Sequence, residues 1–234
     1  MKKILLPLLC AAFIATGFCS CSPNDDPVKD PSTENPDQPD NPNPDPTPTP
    51  DPGQNPDSKP SSGKTLIAYY SYTNNTSAIV NDLRTQIEAD VIKVEPAEKG
   101  LDYAANNYAI GSAQIQAIRN NPNDASSYPA IDPVDIDLKQ YGTVIVATPL
   151  WWSNMAAPMQ SFLFKYGPEM AGKKIGLIVS SASSGISGVE SDAKRLIPSG
   201  NFLTPSLWIR SSQTSNCHSL NAEWLKKTEI VPAS

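Results

Sequence analysis

Short apolar runs punctuate the chain from Lys64 onward, and between them lie segments whose apolar residues recur at helical spacing. Leu66-Ile67-Ala68-Tyr69-Tyr70 is unbroken, which predicts a strand covered on both faces. A helix is predicted next, with Ile79, Leu83 and Ile87 four apart on one side. Val91-Ile92-Lys93-Val94 reads as a second strand, placed at a sheet edge by Lys93. Thr143 to Ala147 and Ile175 to Val179 are rich enough in Val and Ile for central strands, with a helix from about Ala157 to Lys165 between them. A helix from about Val189 to Leu196 leads to Phe202-Leu203-Thr204-Pro205-Ser206-Leu207-Trp208-Ile209. Pro205 cannot donate to a ladder, so this last strand is predicted to be an interrupted edge. Leu220 to Lys227 makes a short final helix with Trp224 and Leu225 facing inward, and Leu101 to Pro133 reads as a helix over roughly Tyr103 to Arg119 plus a loop.

Strands alternating with helices predict an α/β fold with a doubly wound five-stranded parallel sheet. With the second and fifth strands at the edges, the strand order is 2-1-3-4-5. That order puts a ligand crevice at the carboxyl ends of strands one, three and four.

Composition changes the picture only before Lys64. Residues 1–21 open with Lys2 and Lys3, run through an apolar stretch from Ile4 to Phe18 and end in small residues and cysteine, the pattern of an export signal. The apolar stretch is about 15 residues long, short of the ~20 that a permanent transmembrane helix needs. Phe18-Cys19-Ser20-Cys21 resembles a bacterial lipoprotein box, with Cys21 as the lipidated residue because a serine precedes it; the alternative is a cleaved, secreted protein. Residues 22–63 form a linker: 13 of the 24 prolines lie between Ser22 and Ser62, Val28 is the one aliphatic residue there, and nine Asp/Glu face two Lys. Such a segment favours extended polyproline conformations and reaches on the order of 100 Å. The expected setting is the cell envelope, with a domain spanning 64–234 tethered outside the cytoplasm by its lipid and by no other membrane contact. Once Cys10 and Cys19 leave with the signal and Cys21 is modified, only Cys217 remains, which excludes an intramolecular disulfide.

The formal net charge is −6, but the signal and linker account for most of it, leaving a near-neutral domain. A nucleic-acid partner, which needs a basic face, is therefore not expected. The single histidine, His218, rules out a three-histidine metal site and reads as a surface residue; Cys217 reads as partly buried and idle.

Three segments carry candidate chemistry. Ser71-Tyr72-Thr73-Asn74-Asn75-Thr76 joins the first strand to its helix, so hydroxyls and backbone N–H groups converge at a helix N-terminus, an anion site that is also compatible with ordinary capping. No Gly-Lys-Ser/Thr follows and the loop has no lysine or arginine, which favours a terminal monophosphate over a magnesium-bound triphosphate. Pro149-Leu150-Trp151-Trp152-Ser153 follows the third strand, and two adjacent tryptophans in a loop suit a flat ligand unless they pack beneath it. Ser183-Ser184-Gly185, within a run of small residues after the fourth strand, brings N–H groups and hydroxyls toward a heterocycle or simply connects strand to helix.

Taken together, these segments make residues 64–230 resemble the flavodoxin family, in particular its branch with a Tyr-Tyr-Ser-x-Thr-x-Asn-Thr loop and a Pro-Ile/Leu-Trp-Trp segment. The resemblance implies FMN. Its phosphate would rest on Ser71, Thr73, Asn75 and Thr76, with Asn74 in the same loop, and its ring beside Pro149, Leu150, Trp151, Trp152, Ser153 and the loop Ser183, Ser184, Gly185. Asn74 stands where the family usually has glycine, and Ala182 and Ser183 stand in a loop that is often glycine-rich. The implied activity is electron transfer or reduction of quinone-like or other small acceptors, with an unidentified small-molecule or protein redox partner. The alternative is a lipid-anchored, non-catalytic module that uses Trp151 and Trp152 to stack on a flat ligand.

Overall fold

The computed structural model describes residues 63–230. The export signal, Cys21 and the linker up to Ser62 lie outside them. In chain order the elements are β1 (Lys64–Tyr69), α1 (Asn75–Gln86), β2 (Asp90–Lys93), α2 (Ala105–Asn120), β3 (Tyr141–Trp151), β4 (Asn154–Met155), α3 (Ala157–Tyr166), β5 (Lys174–Ser181), α4 (Ser187–Leu196), β6 (Asn201–Phe202), β7 (Leu207–Arg210) and α5 (Cys217–Thr228).

Strands pair in the order β2-β1-β3-β5, and β6 and β7 both line the free edge of β5. All these pairings are parallel. With β6 and β7 taken as one edge strand broken around Pro205, this is the predicted order 2-1-3-4-5. The central runs are continuously apolar because alternate residues feed two cores. Ile67, Ile145 and Ile178 pack under Ile79, Val80 and Leu83 of α1 and Trp224 and Leu225 of α5. Leu66, Val144, Val146 and Leu177 pack under Met159, Phe162 and Leu163 of α3 and Val189, Ala193 and Leu196 of α4. Gly176 on β5 lets α5 sit close, since a Cβ there would lie 2.9 Å from the Trp224 ring. The indole N–H of Trp224 donates to the Pro205 carbonyl at 2.8 Å, tying α5 to the gap in the edge strand.

Two expectations need correction. The third strand does not end at Ala147 but continues through Pro149, Leu150 and Trp151, then turns back into β4. Those three residues are therefore strand, not loop: Pro149 still pairs in parallel with Ser180 of β5, and Leu150 and Trp151 take antiparallel partners in Met155 and Asn154. The helix expected from Tyr103 is assigned from Ala105, and Asn106, Asn107 and Tyr108 hold left-handed φ values of 50°, 56° and 62°. Asn tolerates that region and Tyr does not. The interruption is thus encoded mainly by the Asn pair, and regular helix begins at Ala109.

Cys217 is buried, as expected, and burial pushes its thiol pKa up, which keeps it protonated and unreactive. His218 is exposed but not isolated: its Nδ1 meets Asp82 Oδ2 at 2.8 Å, while Asn221 Nδ2 and Gln86 Nε2 donate to Asp82 Oδ1 at 2.8 and 2.6 Å. Burial acts to raise the Asp82 pKa, but these hydrogen bonds outweigh it and hold the carboxyl below its ordinary value of 3.8. A carboxyl depressed in the fold stabilises fully above that ordinary value and loses its contribution as pH falls through the lower, folded one. Asp82→Ala should cost about 1.5–3 kcal/mol at neutral pH, the range for hydrogen bonds to a charged group. Thermal melts should show the penalty intact at pH 7 and shrinking below about pH 4; a penalty independent of pH would remove the carboxylate from this clasp between α1 and α5.

Candidate functional site at the carboxyl end of the sheet

The chain leaves β1 at Tyr69 and enters α1 through Asn74, whose φ of 65° is the left-handed conformation for which a glycine is usual. Ser71 Oγ accepts the Ser77 N–H at 3.2 Å, which bends the loop over the start of α1. The Asn74 side chain makes no cap and the first turn holds no acidic residue, so the positive end of the α1 dipole is left for an external anion. Thr73 and Asn74 are exposed there, and Ser71 and Asn75 are half-buried. Thr76 is buried instead, its Oγ1 2.8 Å from Ser180 Oγ on β5. Its hydroxyl joins the loop to the fourth strand of the sheet, and its backbone N–H belongs to the helix start.

Asn75 holds a contributor that sequence reasoning missed. Its Nδ2 donates to Thr73 Oγ1 at 3.3 Å and to Ser211 Oγ at 3.4 Å, and its Oδ1 accepts from Thr214 Oγ1 at 3.5 Å. Ser211 and Thr214 lie in the 3-10 turn Ser211–Asn216 that follows β7. Ser211 also donates to the Ser181 carbonyl at 3.2 Å, which closes this turn onto β5. The available signal was its hydroxyl-rich composition directly after the last strand, at the same sheet end as the first loop.

Pro149 pairs with Ser180, Leu150 with Met155 and Trp151 with Asn154. Trp152 and Ser153 are the two turn residues, with φ 46° and 64°. Positive φ at both positions matches the twist of a hairpin, but Asn-Gly is the usual occupant and a bulky residue there is strained. The surroundings hold it in place. The Arg119 guanidinium donates to the Trp152 carbonyl and, at 2.8 and 2.6 Å, to Asn154 Oδ1. Asn154 Nδ2 and the Met155 N–H both donate to Asp192 Oδ2, at 2.8 and 3.0 Å. The Ser153 carbonyl lies against Gly188 at the start of α4, where a Cβ would come within 1.9 Å.

The two tryptophans consequently differ. Trp151 is half-buried, edge-on to Tyr70 at 5.5 Å and tilted against Tyr103 at 4.9 Å. Trp152 is 40% exposed, with its ring beside Gly111 of α2, where a Cβ would lie 3.0 Å away. The fourth loop, Ala182 to Gly185, is exposed and turned by the Ser181 hydroxyl, which donates to the Ser184 carbonyl at 3.0 Å and accepts from Trp208 Nε1 at 2.8 Å. Ser183, Ser184 and Gly185 thus stand free at the rim, next to the hairpin that Gly188 touches.

Burial pushes the Tyr70 phenol far above its ordinary value, and the nearby Tyr103 and Glu95 add to the rise, so it stays protonated. The site is therefore a neutral cradle of hydroxyls and amides beside an exposed indole. Among the described residues no cluster of His, Cys, Asp or Glu could hold a metal ion.

A parallel sheet of order 2-1-3-4-5, with a hydroxyl-rich loop after its first strand and an aromatic hairpin after its third, defines the class of α/β proteins whose ligand crevice lies across the sheet's carboxyl end. The flavodoxin family model matches residues 64–228, and the chain belongs to that family. Among solved structures, a Bacteroides eggerthii protein described as a flavoprotein superposes with a TM-score of 0.57 at 22% identity, over 72% of this chain and 99% of that one. A Bacteroides uniformis counterpart gives 0.54 at 23%, over 70% and 99%. A flavoprotein from Lactobacillus acidophilus, solved in complex with FMN, gives 0.53 at 20%, over 68% and 99%. No curated protein sequence matches the chain.

The Arg119 bridge is the testable part of this geometry. Arg119→Ala should leave the fold intact, cost about 1 kcal/mol for the lost exposed hydrogen bonds, and loosen the hairpin. Acrylamide quenching of Trp152, isolated by comparison with Trp152→Phe, should rise in the variant; unchanged quenching would mean that the hairpin holds itself.

Proposed function

We propose that this chain binds FMN across the carboxyl end of its sheet and works as an envelope-facing redox protein that transfers electrons or reduces quinone-like small acceptors. The observation that carries the reading is the loop Ser71–Thr76: a left-handed Asn74 whose side chain makes no cap, no acidic residue in the first helical turn and the exposed Thr73 suit a terminal phosphate, and no cation there calls for a more highly charged ligand. The FMN complex of the Lactobacillus acidophilus relative supports the choice of ligand.

The residues fit the cofactor in a definite way. Ser71, Thr73 and the amides from Asn74 to Thr76 would hold the phosphate, with Asn75 oriented by Ser211 and Thr214. Trp152 would offer its exposed face to the ring, with Ser183, Ser184 and Gly185 opposite. Trp151, packed between Tyr70 and Tyr103, would brace this wall from behind. Bound FMN supplies the redox chemistry, while the polarity of the loops around it sets how easily it takes electrons.

Titration with FMN, FAD and riboflavin tests the loop: FMN should bind tightest, and equal affinity for riboflavin would reduce Ser71–Thr76 to a helix cap. Trp152→Ala should weaken FMN about tenfold, through lost stacking and lost burial, without changing the melting temperature. Trp151→Ala should instead lower stability by about 1–3 kcal/mol, less than a fully buried aromatic would cost, because Trp151 is half-buried. If Trp152→Ala kept full affinity and full quenching of flavin fluorescence, the wall would lie elsewhere.

The setting belongs to the same proposal. Lipidation of Cys21 would anchor the protein in a bacterial membrane, and residues 22–63 would hold the domain away from it. Mass spectrometry of membrane-extracted protein should find a diacylglycerol-modified N-terminal Cys21; an unmodified terminus at another residue would overturn the anchor.

A further inference from the structure

Four aromatic rings touch in series behind the carboxyl end of the sheet. The Trp152 ring lies 6.3 Å from that of Trp151, Trp151 lies 4.9 Å from Tyr103, and Tyr103 lies 5.4 Å from Tyr72. The run draws on the hairpin after β3, the segment before α2 and the loop after β1, so only the fold makes it continuous. Every step is within the usual range of ring contacts, which by itself describes ordinary packing. Its two ends set it apart.

One end is open to an oxidant. Trp152 is the only exposed tryptophan among the described residues, whereas Tyr103 and the side branch Tyr70, edge-on to Trp151, are buried. The other end can release a proton. The Tyr72 hydroxyl donates to Asp102 Oδ1 at 3.0 Å and accepts from the Ala104 N–H at 3.2 Å, and that N–H also donates to Asp102 Oδ1 at 2.9 Å. The Ala104 N–H and then the Tyr72 hydroxyl hold the Asp102 carboxyl below its ordinary value of 3.8, so at neutral pH it is ionised and can only accept. Among the described residues one other phenol donates to a carboxylate, Tyr141 to Asp90 at 2.9 Å. Tyr141 opens β3, roughly 30 Å along the strand from Trp151, and has no place in the run. A phenol that loses an electron becomes a strong acid and persists as a radical only when its proton has somewhere to go. Tyr72 is the ring of the four where that condition is met.

We propose that this run is a radical-transfer path that carries one-electron oxidising equivalents from Trp152 to Tyr72 beside Asp102. A diffusing inorganic radical takes one electron from the Trp152 indole and is reduced. An electron then passes from Tyr72 through Tyr103 and Trp151 to restore Trp152, and the Tyr72 proton moves to Asp102. The sum is one electron lost by Tyr72 and gained by the oxidant, with the proton held on the carboxyl and both indoles unchanged. The Ala104 N–H remains as a donor to the phenoxyl oxygen. The path needs no bound flavin, and it would spare the indole that is proposed to face the flavin ring.

The test is pulse radiolysis of the full, FMN-free chain with azide radical, which oxidises indoles in preference to phenols. Indolyl absorption should decay as phenoxyl absorption grows, at a rate independent of protein concentration. Trp152→Phe should lower the yield of both signals. Tyr72→Phe should remove most of the phenoxyl growth and leave a longer-lived indolyl radical, whereas Tyr141→Phe should change neither. Asp102→Asn, which keeps an acceptor oxygen but removes the charge, should slow the transfer about tenfold. Tyr103→Phe, a conservative change in the middle of the run, should slow it at least as much. Melting curves would confirm that each variant is folded. Phenoxyl growth that survives Tyr72→Phe, that keeps its rate in Tyr103→Phe or Asp102→Asn, or that quickens with protein concentration would overturn the proposal. Because no flavin is present, failure of the chain to bind FMN would sink the proposed function without touching this path.

Discussion

The burial of one parallel sheet on both faces governs everything else in this domain. A strand that hides Ile67 on one side and Leu66 on the other must have helices above and below. Parallel neighbours can be reached only by long crossovers. Each strand therefore ends at the same edge of the sheet, and each strand-to-helix loop is delivered there. The first loop, the hairpin, the fourth loop and the turn after β7 meet because the core leaves them no other place.

Within that constraint a few tight contacts convert proximity into a site. Thr76 reaches Ser180, Ser211 reaches Ser181, and the Ser153 carbonyl fits against Gly188. None is strong alone. Together they fix the separation of the α1 start from the exposed indole, the span that FMN would have to bridge in the proposed site. The strain of a tryptophan at positive φ is offset by Arg119, Asn154 and Asp192, so rigidity at the rim comes from α2 and α4 rather than from the hairpin itself.

The same arrangement separates two roles that adjacent letters in the sequence concealed. Trp151 and Trp152 are neighbours, yet alternation along β3 turns one inward to Tyr70 and Tyr103 and the turn carries the other out beside Gly111.

The strands, their order and the interrupted edge at Pro205 were legible in the sequence, because apolar period and proline chemistry act locally and because few topologies bury such runs. The left-handed Asn74 was legible for the same reason: backbone sterics at one residue. The extension of β3 through Trp151 was not, since its antiparallel partners Asn154 and Met155 form a strand of only two residues. Nor was the joining of Asn75 to Ser211 and Thr214, which lie 136 and 139 residues away. Local pattern determines which residues can be strand, helix or turn. Which side chains share one small volume is decided only when the sheet twists, the helices dock and each polar group finds, or fails to find, a partner across the fold.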